Sequence, residues 1–250
     1  MKEPINNFLL TLQYNGFNYK GWIKQNNQKT VQGCLEKAIE KISKTQCWTM
    51  GASKTDAGVH AKDQKVLLKL NYSPHLKTFL QGINSILPKD IFISSIKPIE
   101  DDFNIRKTSQ KWYRYTINCY ENKNPFTNLF EMNYGKKINC KKISKIMKTF
   151  VGEHYFLFFS NVSLKENINL VRKINKIKIS KNKNKIFIDI FGKSFIRHQI
   201  RIMIAIALKV YEGKMSLEDI SYNLIKKNVG NKKANYCADP NGLCLMKIWF

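Results

Sequence analysis

The chain has 250 residues, 43% of them hydrophobic and 12% aromatic, enough to bury one large core or two small ones joined closely. Lysine and arginine number 43 against 18 aspartates and glutamates, a formal charge of +25; this points to a polyanionic partner, nucleic acid first, although the crowding of Asn, Ile and Lys also fits AT-rich codon drift. No apolar run approaches the roughly 18 residues of a spanning helix, residues 1–4 lack the order of a secretory signal, and the six cysteines and four histidines make no metal-ligand set, so a soluble, cytoplasmic protein without metal, disulfide framework or membrane contact is expected.

Residues 8–12 read as a strand, and Tyr14-Asn15-Gly16 supplies a turn. Residues 31–43 predict a helix with Val31, Leu35, Ala38, Ile39 and Ile42 on one face. Residues 48–52 and 66–70 predict strands, which leaves the polar stretch 53–64 as a loop on a rigid frame. A second helix is expected over 76–86, ended by Leu87-Pro88, then a strand at 91–96 and an alternating strand at 112–119. Beyond a loop at 120–133 come a helix near 144–150, strands near 174–180 and 185–191 around a Lys/Asn-rich turn, a long periodic helix at 195–210, and a closing strand at 243–250. The order is mixed α and β, with sheet strands contributed by both halves.

Within Thr55-Asp56-Ala57-Gly58-Val59-His60 a carboxylate stands on the polar loop beside Ser53 and Lys54. Two readings are open: a turn in which Asp56 caps the backbone while Gly58 takes a left-handed conformation, or a carboxylate presented for catalysis. For Tyr113 the choice is between an ordinary cross-strand aromatic and a platform that replaces the stacking of an extruded base. On a helix over 195–210, Arg197, His198 and Arg201 share a face continued by Ile204, Ala205 and Leu208. A guanidinium at that border suits a carboxylate, or else RNA phosphate or water.

The string from Thr55 to Ala61, with Gln64 after it, resembles the Gly-Arg-Thr-Asp-Ala-Gly-Val-His-Ala signature of the tRNA pseudouridine synthase A family. Further matches follow in order: Tyr14, Gly16, Gly21-Trp22 and Gln25; Val31-Gln32 with Leu35-Glu36; Asn84, Leu87-Pro88 and Asp90-Ile91; Phe103 with Arg106; Tyr113-Arg114-Tyr115. Gly152, His154, Phe156 and Phe159, then Phe195-Ile196-Arg197-His198 with Arg201, and finally Gly242-Leu243 with Leu245 complete the series.

The resemblance implies an α/β pseudouridine synthase fold: two ferredoxin-like halves, 1–105 and 106–250, sharing a mixed, mainly antiparallel sheet flanked by helices, with the active cleft between them. It implies a homodimer acting on tRNA at positions 38–40 of the anticodon arm. Asp56 would be the essential aspartate and Arg201 its partner; Tyr113 would stack on the target uracil, Leu245 would wall the pocket, and Lys54 and Thr55 would meet substrate. Moving uracil from N1 to C5 attachment needs cleavage, rotation and rejoining but no redox carrier, so no cofactor is expected. A non-catalytic tRNA-binding or folding protein is the alternative; a glycosyl hydrolase would want a second carboxylate nearby. Departures from the family pattern are Lys54 for Arg, Tyr155 for Asp, Ile202 for Asn, and one residue fewer between Arg106 and Tyr113.

Overall fold

Alternating burial along residues 6–14 sets the first strand: in the computed structural model Leu10 and Leu12 are fully buried on one face while Leu9 packs on the other. The structure describes residues 6–121, 124–163, 168–230 and 232–250; the expectation for residues 1–4, and part of the 120–133 loop, lie outside these. In chain order the elements are β1 (Asn6–Tyr14), α1 (Val31–Ser43), β2 (Trp48–Gly51), β3 (His60–Leu70), α2 (Leu76–Ile86), β4 (Ile91–Pro98), β5 (Gln110–Asn118) and β6 (Met132–Asn133). There follow α3 (Cys140–Lys148), β7 (Gly152–Tyr155), β8 (Val171–Asn182), β9 (Lys185–Gly192), α4 (Gln199–Tyr211), α5 (Leu217–Asn223), α6 (Lys226–Val229) and β10 (Leu243–Trp249).

The chain divides into two units. The first runs up to Ser109 and takes in Cys244–Phe250; the second is Gln110–Leu243. The expected division lay between residues 105 and 106 with the last strand in the second half. Parallel pairing of Cys244 with His60 and Leu245 with Ala61 accounts for the place of β10 in the first unit.

In the first unit the antiparallel order is β4-β1-β3-β2, the strand order of a ferredoxin-like β-α-β-β-α-β module. Thr30 caps α1 by accepting from the Gly33 amide, and Val31, Leu35, Ala38 and Ile39 form its buried stripe. Leu10, Leu12, Leu68 and Ile83 are fully buried as well. A smaller cluster, Leu9, Leu67 and Ile105 with Phe103 and Met50, covers the other face of the sheet.

The second unit orders its strands β5-β9-β8-β7, antiparallel throughout, with β6 running parallel to the end of β5. Tyr113, Tyr115 and Ile117 point into a core with Ile188, Ile190, Met203 and Ile206. The expected Lys/Asn-rich hairpin turn between β8 and β9 is two residues long, and Lys183 takes the left-handed conformation that so tight a turn favours.

Three expectations are corrected. β3 begins at His60 rather than 66, because Ala61 and Gln64, opposite Tyr14 and Leu12 across a register shift, are both buried among polar neighbours, and this shortens the loop before it to eight residues, 52–59. α3 lies at Cys140–Lys148 instead of 144–150, started by the Asn139 side chain accepting from the Lys142 amide. α4 starts at Gln199 rather than 195; residues 195–196 are irregular, and Arg197 and His198 form a turn in which His198 is left-handed. Arg197 and His198 therefore share no helical face with Arg201.

Candidate active site

The loop 52–59 joins β2 to β3 and is tied down at nearly every residue. The Ala52 amide donates to the Lys65 carbonyl at 2.8 Å, and the buried Gln64 amide group spans Ser53, accepting from its N–H at 3.1 Å and donating to its carbonyl at 2.6 Å. The Thr55 hydroxyl shares a 2.7 Å hydrogen bond with the Tyr14 hydroxyl, and its carbonyl accepts from the Trp22 amide at 3.0 Å. Gly58 adopts the expected positive φ, 78°, and its amide donates to the Tyr19 carbonyl at 3.2 Å, while the Val59 amide closes a turn onto the Asp56 carbonyl at 3.2 Å.

This lattice makes the backbone around Asp56 a fixed support. Ser53, Thr55, Val59 and His60 are buried, Asp56 is half-buried, and Lys54 and Ala57 are exposed. Asp56 thus stands on a fixed support between buried Thr55 and exposed Ala57. The buried Nδ1 of His60 accepts from the Gly16 amide at 3.0 Å, which places the ring proton of the neutral imidazole on Nε2. His60 supports the loop by holding the Gly16 backbone. Tyr14 and Trp22 are core aromatics, stacked with centroids 6.2 Å apart.

Of the residues singled out in the sequence, Lys54, Thr55, Asp56 and Leu245 belong to the first unit. Leu245 is fully buried on β10, opposite Ala61 at the end of β3 that leads out of the loop. Thr55 directs its hydroxyl to Tyr14 and its carbonyl to Trp22. The Tyr14 hydroxyl and the Gln64 amide are structural partners that sequence reasoning did not assign. Their signal was present as spacing alone.

Tyr113 and Arg201 belong to the second unit. Tyr113 is 6% exposed on β5, with its ring edge-on to Phe195 at 5.3 Å. Arg201 stands in the first turn of α4; its Nε donates to the Ala238 carbonyl at 2.8 Å, and the Ala238 amide returns to the Arg201 carbonyl at 3.2 Å. Next to it the buried Tyr115 hydroxyl donates to the Asp239 carbonyl at 2.8 Å. Burial and the Asp239 charge raise the Tyr115 phenol well above its usual range, and the Arg201 guanidinium acts in the opposite direction. Arg201 is therefore oriented by backbone contacts that helical periodicity alone does not reveal.

A family model described as tRNA pseudouridine synthase matches residues 146–250. Over nearly its full length the chain is 44% identical to the tRNA pseudouridine synthase A of Spiroplasma kunkelii, across 242 residues that cover 96% of this chain and 92% of that one. The chain belongs to the tRNA pseudouridine synthase A family. The member from Mesoplasma florum is 42% identical over 250 residues, covering 97% and 98% of the two chains. The member from Clostridium botulinum strain Eklund 17B is 35% identical over 246 residues, covering 98% and 99%. As a pseudouridine synthase the protein is an isomerase. Among the described residues no three His, Cys, Asp or Glu side chains gather as a metal-ligand set, and no helix is long and apolar enough to cross a membrane.

Proposed function

We propose that this protein isomerises uridine to pseudouridine in the anticodon stem-loop of tRNA, at positions 38–40, acting in the cytoplasm as a homodimer without a cofactor. The observation that carries the reading is the Asp56 loop: a half-buried carboxylate on eight residues held by the Ala52, Ser53, Gly58 and Val59 amides, the Ser53 and Thr55 carbonyls and the Thr55 hydroxyl.

In the reaction the N1–C1′ bond breaks and a C5–C1′ bond forms; C5 loses its proton and N1 gains one, so atoms and electrons balance without an outside reagent. Asp56 promotes the cleavage, either by attacking the sugar or by taking a sugar proton. A rigid support suits both tasks, because reaction rate depends steeply on the placement of the reacting group. Thr55 holds the loop through Tyr14. Leu245, paired beside the loop's exit, supplies an apolar wall. Lys54 is exposed and attracts backbone phosphate. Tyr113 and Arg201 carry into this proposal the roles that the resemblance implies, an aromatic face for uracil and a cation for the reacting carboxylate.

The test is tRNA from cells with the gene, without it, and with Asp56→Asn, mapped for pseudouridine after carbodiimide labelling. Loss of the signal at positions 38–40 in the last two samples supports the reading. A signal retained with Asp56→Asn would remove Asp56 from it. Light scattering at micromolar concentration tests the dimer.

A further inference from the structure

Segment 236–239 belongs to no helix or strand, and its residues are exposed except Ala238. Yet this stretch holds Arg201 from both directions: the Ala238 carbonyl accepts from Nε at 2.8 Å, and the Ala238 amide donates to the Arg201 carbonyl at 3.2 Å. Nε is the guanidinium nitrogen nearest the chain. Fixing it fixes the plane of the whole rigid fork, so the two Nη groups at the far end follow the Ala238 carbonyl. A hydrogen bond to an irregular segment positions a side chain only as well as that segment is itself held.

Side chains from elsewhere in the same unit do the holding. The Tyr115 hydroxyl donates to the Asp239 carbonyl, the next one along, at 2.8 Å. Nδ2 of Asn241 donates to the Asn128 carbonyl at 2.8 Å and to the Glu131 carbonyl at 3.0 Å, which pins the short turn Pro240–Gly242 that follows. A Cβ on Gly242 would lie 2.7 Å from Tyr115 Cζ and 2.9 Å from its Cε1, so the Gly242 backbone rests directly against the Tyr115 ring. Tyr115 therefore meets the segment twice, by its hydroxyl at Asp239 and by its ring at Gly242.

Tyr115 is itself well anchored, fully buried on β5 and paired with Ile188 of β9. Burial raises its phenol well above the usual range, so the group stays a donor at any working pH. Phenylalanine would supply the same ring to the core; the hydroxyl is what the core does not require. We propose that Tyr115 is a positioning residue for the isomerisation: through the Asp239 carbonyl it sets where Ala238 stands, and through Ala238 the orientation of the Arg201 guanidinium. The inference rests on the reading of Arg201 as the cation for the reacting carboxylate, and extends it to a residue buried in the core.

The assay is release of tritium from a tRNA transcript labelled at C5 of uridine, the position that loses its proton, in steady state and under single turnover with the full-length protein. Tyr115→Phe keeps the ring against Gly242 and removes the hydroxyl. It is expected to lower kcat and the single-turnover rate by roughly tenfold, given that a 1 Å displacement of a reacting group costs about a hundredfold, with KM changed by less than about twofold. The acid limb of the kcat profile should move to higher pH, because a carboxylate whose cation is less well placed is easier to protonate. In an Arg201→Lys background, where the Nε contact is already gone, Tyr115→Phe should cost no more than about a further twofold. Ile146→Val trims the buried face of α3 in the same unit and controls for lost stability alone; its kcat and acid limb should match wild type.

Arg201→Lys with wild-type kcat would sink the reading of Arg201, and this inference with it. An impaired Arg201→Lys beside a Tyr115→Phe that turns over as wild type would overturn this inference alone. So would a Tyr115→Phe loss that is undiminished in the Arg201→Lys background. Should Tyr115→Phe fail to fold, Asn241→Ala, which loosens the other end of the segment, carries the same expectations.

Discussion

A Cβ placed on Gly16 would lie 1.9 Å from the Val59 carbonyl oxygen and 2.6 Å from its carbonyl carbon. Both obstacles are backbone, in the turn that Asp56 opens, so neither can swing aside as a flexible side chain would. Gly16→Ala is expected to destabilise the protein by about 1–3 kcal/mol and to shift the Asp56 loop. Displacement of a reacting group by 1 Å can cost about a hundredfold in rate. Single-turnover kinetics with tRNA should therefore show a fall of at least roughly tenfold in the chemical step, with RNA affinity little changed. An Ala variant with wild-type turnover would refute the close packing of these two segments.

Tyr14→Phe probes the same support more gently. It removes one hydroxyl from the buried pair with Thr55 and leaves ring packing on Trp22 in place. The expected cost is about 1 kcal/mol in denaturant unfolding, with a lowered kcat and an unchanged KM. A change confined to KM would instead mean that Tyr14 meets the RNA.

Lys111 offers a test in pH. Burial pushes its ammonium down from 10.5 to about 8. Below pH 8 it is charged in folded and unfolded chains alike, and the burial penalty is fully present. Between pH 8 and 10.5 the folded form releases its proton first and the penalty fades. Lys111→Met should thus raise Tm at pH 7 by a few degrees, each kcal/mol being worth about 2–4 °C at this size. The advantage should shrink as the pH approaches 10.5. A gain independent of pH would point to better packing and away from relief of a buried charge.

The elements legible in the sequence were those whose apolar period was clean. α1 and α2 have the expected bounds, and the Asp56 loop lies between the expected strands. The first residues of β3 escaped because Lys62, Asp63 and Lys65 mask a strand whose inward positions include Gln64, a polar side chain buried to clamp Ser53. The start of α4 escaped because its signal is backbone conformation: Phe195 and Ile196 extend the apolar period, yet His198 is left-handed and offers no side-chain cap. The edge strand β7, only Gly-Glu-His-Tyr, is too short to show alternation. Arg201 was recognisable by its place in a motif, whereas the Ala238 carbonyl that orients it is 37 residues away and leaves no trace in local pattern.

Salt dependence distinguishes the two origins of the +25 charge. If lysines and arginines contact phosphate, the affinity for tRNA should fall steeply with ionic strength, each contact adding about 0.7–0.9 to the log-log slope. Filter binding between 50 and 200 mM salt, roughly the range over which such contacts weaken most visibly, measures it. A slope near zero would assign the charge to codon drift.

Lys54 provides the most local test, because the family pattern has arginine at this position and the structure leaves the lysine exposed on an otherwise immobile loop, two residues before Asp56. An arginine fork can hold phosphate at two points or stack on a base as the target uridine swings out, while an ammonium acts as a compact point charge. Its contribution is then long-range attraction, and it should be sensitive to salt. Lys54→Ala is expected to change the unfolding free energy by no more than about 0.5 kcal/mol, as at other exposed sites, and to lower kcat/KM for a tRNA transcript severalfold at low salt, with the deficit narrowing as salt rises. Lys54→Arg should equal or exceed wild type, since it restores the planar fork on the same support. Steady-state kinetics on one transcript at two salt concentrations decide the matter. An Ala variant indistinguishable from wild type at both would make Lys54 a solvated loop residue with no part in binding.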